Sequence, residues 1–296
     1  MSDELLDSFT HLDERVRAHV LATDDQRLAL ISSDWWISYP PGDQIVSLLF
    51  DLIDLPQRQR PPSVAVHAPP NSGKSAIIAR FLALYAARVA CGEADANGVA
   101  AIQAPPTVDE KRLYFEILKS VGAATPETTT ARLKTMVVNQ LRQRRTRLLI
   151  IDELQHALGQ RPAAQQVVLN TLKTLSNELG LSIAGFGSAE ARALVYSDEH
   201  IAQRFEVIGL PAWDKKHSWV VDVIRQRIAL FPLRRATVVD RHFMNLLLQL
   251  CGPTGGRMLE MLERCARAAI NDGSERLSTS LLEDVALRRE RLENGL

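Results

Sequence analysis

The stretch VAVHAPPNSGKSAIIARF, Val64 to Phe81, decides the fold. It begins as a run of strand formers, bends through Pro69, Pro70, Asn71, Ser72 and Gly73, and resumes as an apolar helix at Lys74 and Ser75. Ala68 to Ser75 follows the phosphate-loop pattern G-x-x-x-x-G-K-[ST] except at its first position. Gly73 lets the backbone approach phosphate oxygens closely. Successive amide groups at a helix N-terminus make an anion cradle. The candidate contacts are Pro70, Asn71, Ser72, Gly73, Lys74, Ser75 and Ala76. In such a loop the lysine reaches the β- and γ-phosphates of a nucleotide and the hydroxyl ligates Mg²⁺. Ala68 replaces the usual first glycine, and alanine fits there only if its φ is negative. The bland reading is a chance Gly-Lys-Ser at a helix start. A strand before it and an amphipathic helix after it argue against that.

A loop of this kind needs an acidic partner at a second strand tip, and RLLIIDELQH supplies one. Leu148–Ile151 reads as a buried strand with Asp152 at its C-terminal edge, where open α/β sheets bind ligands. Asp152 is the candidate Mg²⁺ partner. Glu153 is the candidate base that orients and deprotonates an attacking water. The two strand ends, at the phosphate loop and at Asp152, are expected to be neighbours in the sheet. Farther along, LSIAGFGSAEA places Ser188 on the strand next to the Asp-Glu strand, beside a γ-phosphate. Ser188 also reads as the N-cap of the following helix, and the two roles are compatible. Arg204 ends a short helix just before a strand, in SDEHIAQRFEVIGL. It reads either as a finger directed at a neighbouring subunit's nucleotide or as a surface arginine.

Working outward, apolar runs alternate with helical patterns. Strands are expected at Ser63–His67, Val99–Gln103, Leu148–Ile151, Leu181–Phe186 and Phe205–Leu210. Helices are expected at Lys74–Ala90, Glu110–Val121, Thr129–Gln143, Ala163–Gly180 and Ala189–Val195. That alternation predicts an α/β fold with a parallel sheet covered on both faces. After Pro211 only helical patterns remain, the last opened by a capping box of Ser280 and Glu283. The expected domains are an N-terminal helical extension (1–58), an α/β nucleotide-binding core (59–212) and a helical lid (213–296).

Hydrophobic residues make up 46% and charged residues 24% of the 296 residues, an ordinary globular balance. The three cysteines show no ligand spacing, which suits a reduced, intracellular compartment. No run is apolar enough for a membrane span, and the acidic start is not a signal peptide. A net charge of zero argues against coating nucleic acid by bulk charge, but not against a local basic face.

Taken together these residues resemble an AAA+ ATPase, and more narrowly the TniB/TnsC ATPases of transposons. The resemblance includes SDWWISYP, APPNSGKS, IQAPPTVDEKRLYFEILKSVG, RLLIIDELQHAL, GFGSAEARALVYSDEHIAQRFEVIGLPAW and CGPTGGRMLEML. It implies an AAA+ core with a helical lid, ATP and Mg²⁺ as cofactors, and ATP hydrolysis stimulated by DNA and oligomerisation. It assigns Gly73, Lys74 and Ser75 to the Walker A contacts, and Asp152 and Glu153 to the Walker B pair. Ser188 resembles the first sensor, Arg204 the trans-acting finger and Arg257 the second sensor. Arg257 also reads as a surface residue at a helix N-terminus. Trp36 and Tyr39 resemble the element that flanks the adenine, although clustered aromatics are often core.

The resemblance further implies a bacterial, cytoplasmic, nucleoid-associated protein that assembles as a ring or filament on double-stranded DNA. There it would link a TniQ-like target-selection protein to a DDE transposase. Lys111 and Arg112 are the leading DNA-contact candidates, because cations at a helix N-terminus do not favour the helix itself. Their alternative is a solvated helix face. In the cluster Arg142 to Arg147 the cations complement a helix C-terminus, and a structural role is favoured. QRQR at 57–60 stays open between DNA and a neighbouring subunit. Two further functions stand beside hydrolysis: a nucleotide-gated DNA-binding scaffold with negligible turnover, and another AAA+ DNA ATPase such as a helicase loader.

Overall fold

A computed structural model describes residues 7–107, 109–159, 162–197 and 202–293. The chain divides into two compact units, with boundaries after Pro40 and after Pro211. The segment before Pro41 groups with the residues after Pro211, and residues 41–211 form the other unit.

In the first unit, short helical turns over Asp7–Phe9, Glu14–Arg17 and Ala18–Leu21 lead to α1 (Asp24–Ile31), started by a capping box between Thr23 and Gln26. Arg27 on this helix is fully buried, and its guanidinium donates to the Pro232 carbonyl at 2.9 and 2.8 Å and to Glu275. Those bonds tie the N-terminal segment to the C-terminal helices. A buried guanidinium is tolerable only when its donors are met in this way.

The second unit begins with α2 (Pro40–Asp54), which buries Ile45, Val46, Leu49, Leu52 and Ile53 along one stripe. Then come β1 (Ser63–His67), α3 (Lys74–Ala90) and β2 (Val99–Gln103). Next are α4 (Glu110–Ser120) and α5 (Thr130–Gln143), capped by the side chains of Asp109 and Thr129. β3 (Leu148–Asp152) leads through a 3-10 turn (Leu154–Gly159) to α6 (Pro162–Leu179). β4 (Ser182–Gly187), α7 (Ala189–Tyr196) and β5 (Phe205–Gly209) complete it.

All five strands are parallel, in the order β2-β3-β4-β1-β5. The three inner strands are buried nearly throughout, whereas the edge strands β2 and β5 alternate or stay half exposed. Covered inner strands of parallel sheets read as continuous apolar runs for this reason. The expected strands and helices of this unit all form, with ends that move by at most a residue.

One expectation about the sheet fails. β1 and β3 are not neighbours, because β4 pairs with both and lies between them. Strand order is set by how helices cross over the sheet, and no local pattern in either strand encodes it.

After Pro211 the first unit resumes as helices only: α8 (Ser218–Ala229), α9 (Arg241–Cys251), α10 (Gly255–Asn271) and α11 (Thr279–Glu293). The cap of α11 is Ser278, whose hydroxyl accepts the Leu281 N–H at 3.2 Å, in place of the expected Ser280. Ser280 instead pairs its hydroxyl with that of Ser278 at 2.9 Å. Among the described residues no helix is long and apolar enough to cross a membrane.

Candidate functional site

The site forms at the C-terminal edge of the sheet in the second unit. β1 ends at His67, and Ala68 donates its N–H to the Gly187 carbonyl at 3.0 Å before the chain turns. Positive φ occurs in this loop at Asn71 (59°) and Gly73 (88°), and not at Ala68. Alanine therefore fits the first position, and the left-handed turns fall on the two residue types that bear them best. Gly73 caps α3, a helix of 17 residues. The first-turn amides of such a helix have no partner within it and present partial positive charge to an anion. Pro70, Asn71, Ser72 and Ala76 lie in the loop and first turn around it.

Lys74 is buried, with its ammonium donating to the Ala68 and Pro69 carbonyls at 3.0 Å each. Burial lowers its pKa, and the charges of Glu153 and Asp152 pull in the opposite direction. Ser75 Oγ donates to Asp152 Oδ2 at 2.7 Å. That contact crosses the width of β4, whose tip carries Gly185 and Gly187. A Cβ at Gly185 would meet Leu154 Cδ2 at 2.5 Å. The bare tip leaves room for the turn after β3 to reach over it.

Glu153 follows Asp152 with φ of 56°, a left-handed conformation uncommon outside glycine. Its N–H donates to Asp152 Oδ1 at 2.8 Å. The Gln155 amide donates to Glu153 Oε2, and the Gln155 Oε1 accepts the Ser188 N–H at 3.0 Å. One amide thus ties the Glu153 carboxylate to the end of β4. Gly187 makes space for it, since a Cβ there would meet Gln155 Oε1 at 2.6 Å. His156 donates Nδ1–H to the Ala104 carbonyl at 2.8 Å and holds Nε2 4.0 Å from Glu153 Oε2.

Gln155 and His156 had no place in the sequence reading of the site. Their local signal is their position just after the acidic pair, whose Glu153 both side chains approach; their other partners come from residues 104 and 188.

Ser188 stands at the start of α7 and its hydroxyl bonds the Glu190 carboxylate. Arg204 lies at the opposite, N-terminal edge of β5, where Nη1 donates to Asn177 Oδ1 at 2.5 Å. It is about 16 Å of strand away from the phosphate-loop end of the sheet. The helix expected before it falls partly outside the described residues.

Lys111 and Arg112 sit in the first turn of α4 and are already engaged. Lys111 pairs with Glu127 at 3.0 Å, and Arg112 pairs with Asp109 at 3.5 Å and donates to the Thr107 carbonyl at 3.2 Å.

Trp36, Tyr39 and Arg257 belong to the other unit. Tyr39 is buried, with its ring 5.8 Å from Trp36, 5.9 Å from Trp213 and 5.4 Å from Trp219. The sequence reading did not bring the two later tryptophans to this cluster. Gly255 admits Trp213, because a Cβ there would meet the indole at 2.4 Å. Arg257 is exposed in the first turn of α10.

For a divalent ion, Ser75 Oγ and Asp152 Oδ2 form a hydroxyl-carboxylate pair of the kind Mg²⁺ uses. Mg²⁺ takes one or two protein oxygens and completes its octahedron with water and phosphate oxygens. Among the described residues no cluster of three or more His, Cys, Asp or Glu offers an all-protein metal cage. The donor set fits an ion that arrives with a nucleotide.

Residues 27–215 match the family model described as Bacterial TniB protein. No curated protein sequence matches the chain. Among solved structures the chain is similar to the Aeropyrum pernix ORC1 protein in complex with DNA. Identity is 17% and the TM-score 0.66, over 89% of this chain and 69% of that one. It is similar to the Aeropyrum pernix ORC2 protein in its ADPNP-ADP complexes at 16% identity and a TM-score of 0.66, over 87% and 70%. It is also similar to Cdc6p from Pyrobaculum aerophilum at 18% identity and a TM-score of 0.62, over 83% and 66%. At these identities the likeness is one of fold, and the fold is AAA+.

Proposed function

The chain belongs to the TniB family of bacterial proteins, and on that premise we propose that it is an ATP-hydrolysing AAA+ regulator of transposition that assembles on DNA. The observation that carries the reading is the 2.7 Å bond from Ser75 to Asp152, beside a buried lysine at a glycine-capped helix start. A hydroxyl, a carboxylate and an ammonium converge there on the end of a helix that favours anions.

In this reading the loop amides hold the triphosphate and Lys74 balances the β- and γ-phosphoryl charge. Ser75 and Asp152 are the residues that would hold Mg²⁺, which when bound neutralises charge building on the phosphoryl oxygens. Glu153 takes the proton of the attacking water, and Gln155 fixes the direction of its carboxylate. Ser188 reports on the γ-phosphate from the end of β4. Arg204, at the end of β5 remote from its own loop, serves the nucleotide of an adjacent copy.

The similar structures include one described with DNA and one with ADPNP and ADP, which supports nucleotide and DNA as ligands of this fold. DNA then contacts Lys111 and Arg112, which exchange their carboxylate partners for phosphates. Rings or filaments on duplex DNA, a DDE transposase and a TniQ-like target selector complete the proposal, set in the bacterial cytoplasm at the nucleoid.

Electron microscopy with duplex DNA and a non-hydrolysable ATP analogue tests the assembly, and calorimetry tests nucleotide uptake. Rings or filaments that require the analogue are expected. ATP uptake without any assembly removes the DNA part, and no uptake removes the whole reading. Arg204→Ala is expected to slow hydrolysis while leaving ATP binding in place.

A further inference from the structure

Two arginine-rich segments that are separate in the sequence, 57–60 and 142–147, meet in the folded α/β unit. Gln57 Nε2 donates to the Leu179 carbonyl at 2.9 Å. A Cβ at Gly180 would meet the Arg58 carbonyl oxygen at 3.0 Å. The linker therefore lies against the C-terminal end of α6. The turn between α5 and β3 lies against the same end. Gln57, Arg142, Arg145, Arg147 and Glu178 line one pocket of ≈ 290 Å³ over Leu141 and Leu179.

A cation in the last turn of α5, such as Arg142, favours the helix dipole without any bond, but it ties neighbouring segments down only where its guanidinium bonds carbonyls or other protein groups. Two of the four arginines in the turn do. Arg144 donates to Asn97 Oδ1 at 2.7 Å and to the Val121 carbonyl, and Arg147 donates to the Leu55 carbonyl. Arg142 and Arg145 do not: both are exposed, and neither guanidinium has a protein partner among the described residues. Arg58 and Arg60 are exposed and unpartnered in the same sense. Arg145 also holds φ of 54°, away from the helical path of α5. The nearest carboxylate in the pocket, Glu178, is 3.7 Å from Lys134 and so has a cation of its own. In a chain of zero net charge this is a local excess of free guanidinium.

The pocket sits where β3 begins, at the sheet edge opposite the phosphate loop. Lys111 and Arg112, by contrast, follow β2 at the nucleotide edge and each has a carboxylate partner.

We propose that Arg58, Arg142 and Arg145 form a second nucleic-acid contact, a surface for the phosphodiester backbone that needs no nucleotide. Guanidinium binds phosphate oxygens through paired N–H donors and is weakly hydrated, so exposed arginines suit this ligand better than lysines. The surface reads charge and spacing and carries no base specificity. It rests on the reading of the protein as DNA-associated and extends it to a face remote from ATP.

The test is fluorescence anisotropy with a short duplex DNA in a salt series without nucleotide, repeated with ATP. The proteins are the wild type, Arg142→Ala/Arg145→Ala, Arg58→Ala and the charge-keeping Arg142→Lys/Arg145→Lys. ATP uptake is measured in parallel as a check on folding. The expected result is nucleotide-free binding whose salt slope falls by about one for each phosphate-contacting arginine removed. The lysine pair retains most of the slope, and ATP uptake is the same in all. Slope and affinity unchanged in the double alanine variant overturn the proposal. So does a wild type that binds the duplex only with ATP, an outcome that leaves the DNA-associated reading intact. No duplex binding under either condition removes that reading and this surface together. Competition by an acidic peptide that displaces the duplex only from proteins retaining the arginines supports the site as an anion surface.

Discussion

Ser75 and Asp152 are joined by a 2.7 Å hydrogen bond although an entire strand separates the strands they extend. Inner strands stand ~4.8 Å apart, so the two backbones are roughly two such spacings from each other. The gap closes because Ser75 rides on a helix that starts over the sheet edge and β4 ends in glycine.

Ser75→Ala removes that hydroxyl from a carboxylate and from any ion held with it. A hydrogen bond to a charged group contributes about 1.5–3 kcal/mol, or about ten- to a hundredfold in Kd. Calorimetry should show ATP affinity reduced by that factor in Mg²⁺, with the difference vanishing in a chelator. A loss of equal size without Mg²⁺ would remove Ser75 from ion binding.

Glu153→Gln keeps the shape of the side chain and removes the base. Hydrolysis should fall by about 10²–10⁴ while ATP binding persists. DNA-bound assemblies should then outlive those of the wild type in microscopy time courses. If turnover is negligible in the wild type as well, the protein is a scaffold and the variant will match it.

Gln155→Ala frees the Glu153 carboxylate from its tie to Ser188. Losing one hydrogen bond to a charged group predicts a kcat about tenfold lower with KM for ATP unchanged. Gly187→Ala should lower kcat as well, by pushing Gln155 out of its place, and should also lower Tm, because the new Cβ would meet Ala191 Cβ of α7 at 2.7 Å. Parallel changes in kcat and KM would point to a disturbed nucleotide pocket instead.

Lys74 contributes a pH dependence whose sign is set by burial. Its pKa in the fold is lowered from the ordinary 10.5, so between the two values the unfolded chain binds more protons. Stability from this group therefore rises with pH across that window. Without nucleotide, the wild type should gain Tm relative to Lys74→Met as pH climbs from neutral toward about 10. A constant difference would mean that the ammonium carries no burial penalty.

Gly255→Ala tests the aromatic cluster around Tyr39. The new Cβ would press on the Trp213 indole at 2.4 Å. Overpacking costs about 1–3 kcal/mol, each kcal/mol about 2–4 °C of Tm in a protein of this size. Thermal unfolding with an unchanged Tm would show that Trp213 has another place to go.

Much of the α/β unit was legible because the signals are local. Val64 and Ile150 lie in short, β-branched apolar runs that suit a covered inner strand, and Asp109 and Thr129 announce helix starts by their side chains. The acidic pair could be paired with the phosphate loop because chemistry requires both. Long-range facts were hidden. The place of β4 between β1 and β3 follows from crossovers, and Arg27 meets Glu275 across 248 positions in sequence. Gln155 was silent for a similar reason, since its partner Ser188 N–H is a backbone group that leaves no trace in composition. Where two serines competed for one cap, Ser278 and Ser280, the pattern matched the wrong one by two residues.

β1 is fastened at both ends: Ser63 donates its N–H to the Arg204 carbonyl, and Ala68 donates to the Gly187 carbonyl. Between these fastenings runs a short, fully paired strut with no slack in it. In the proposed assembly, a load on the Arg204 segment would find its shortest route to the base of the phosphate loop along that strut. Two places that never touch thus share one mechanical member, and stiffness, not proximity, connects them.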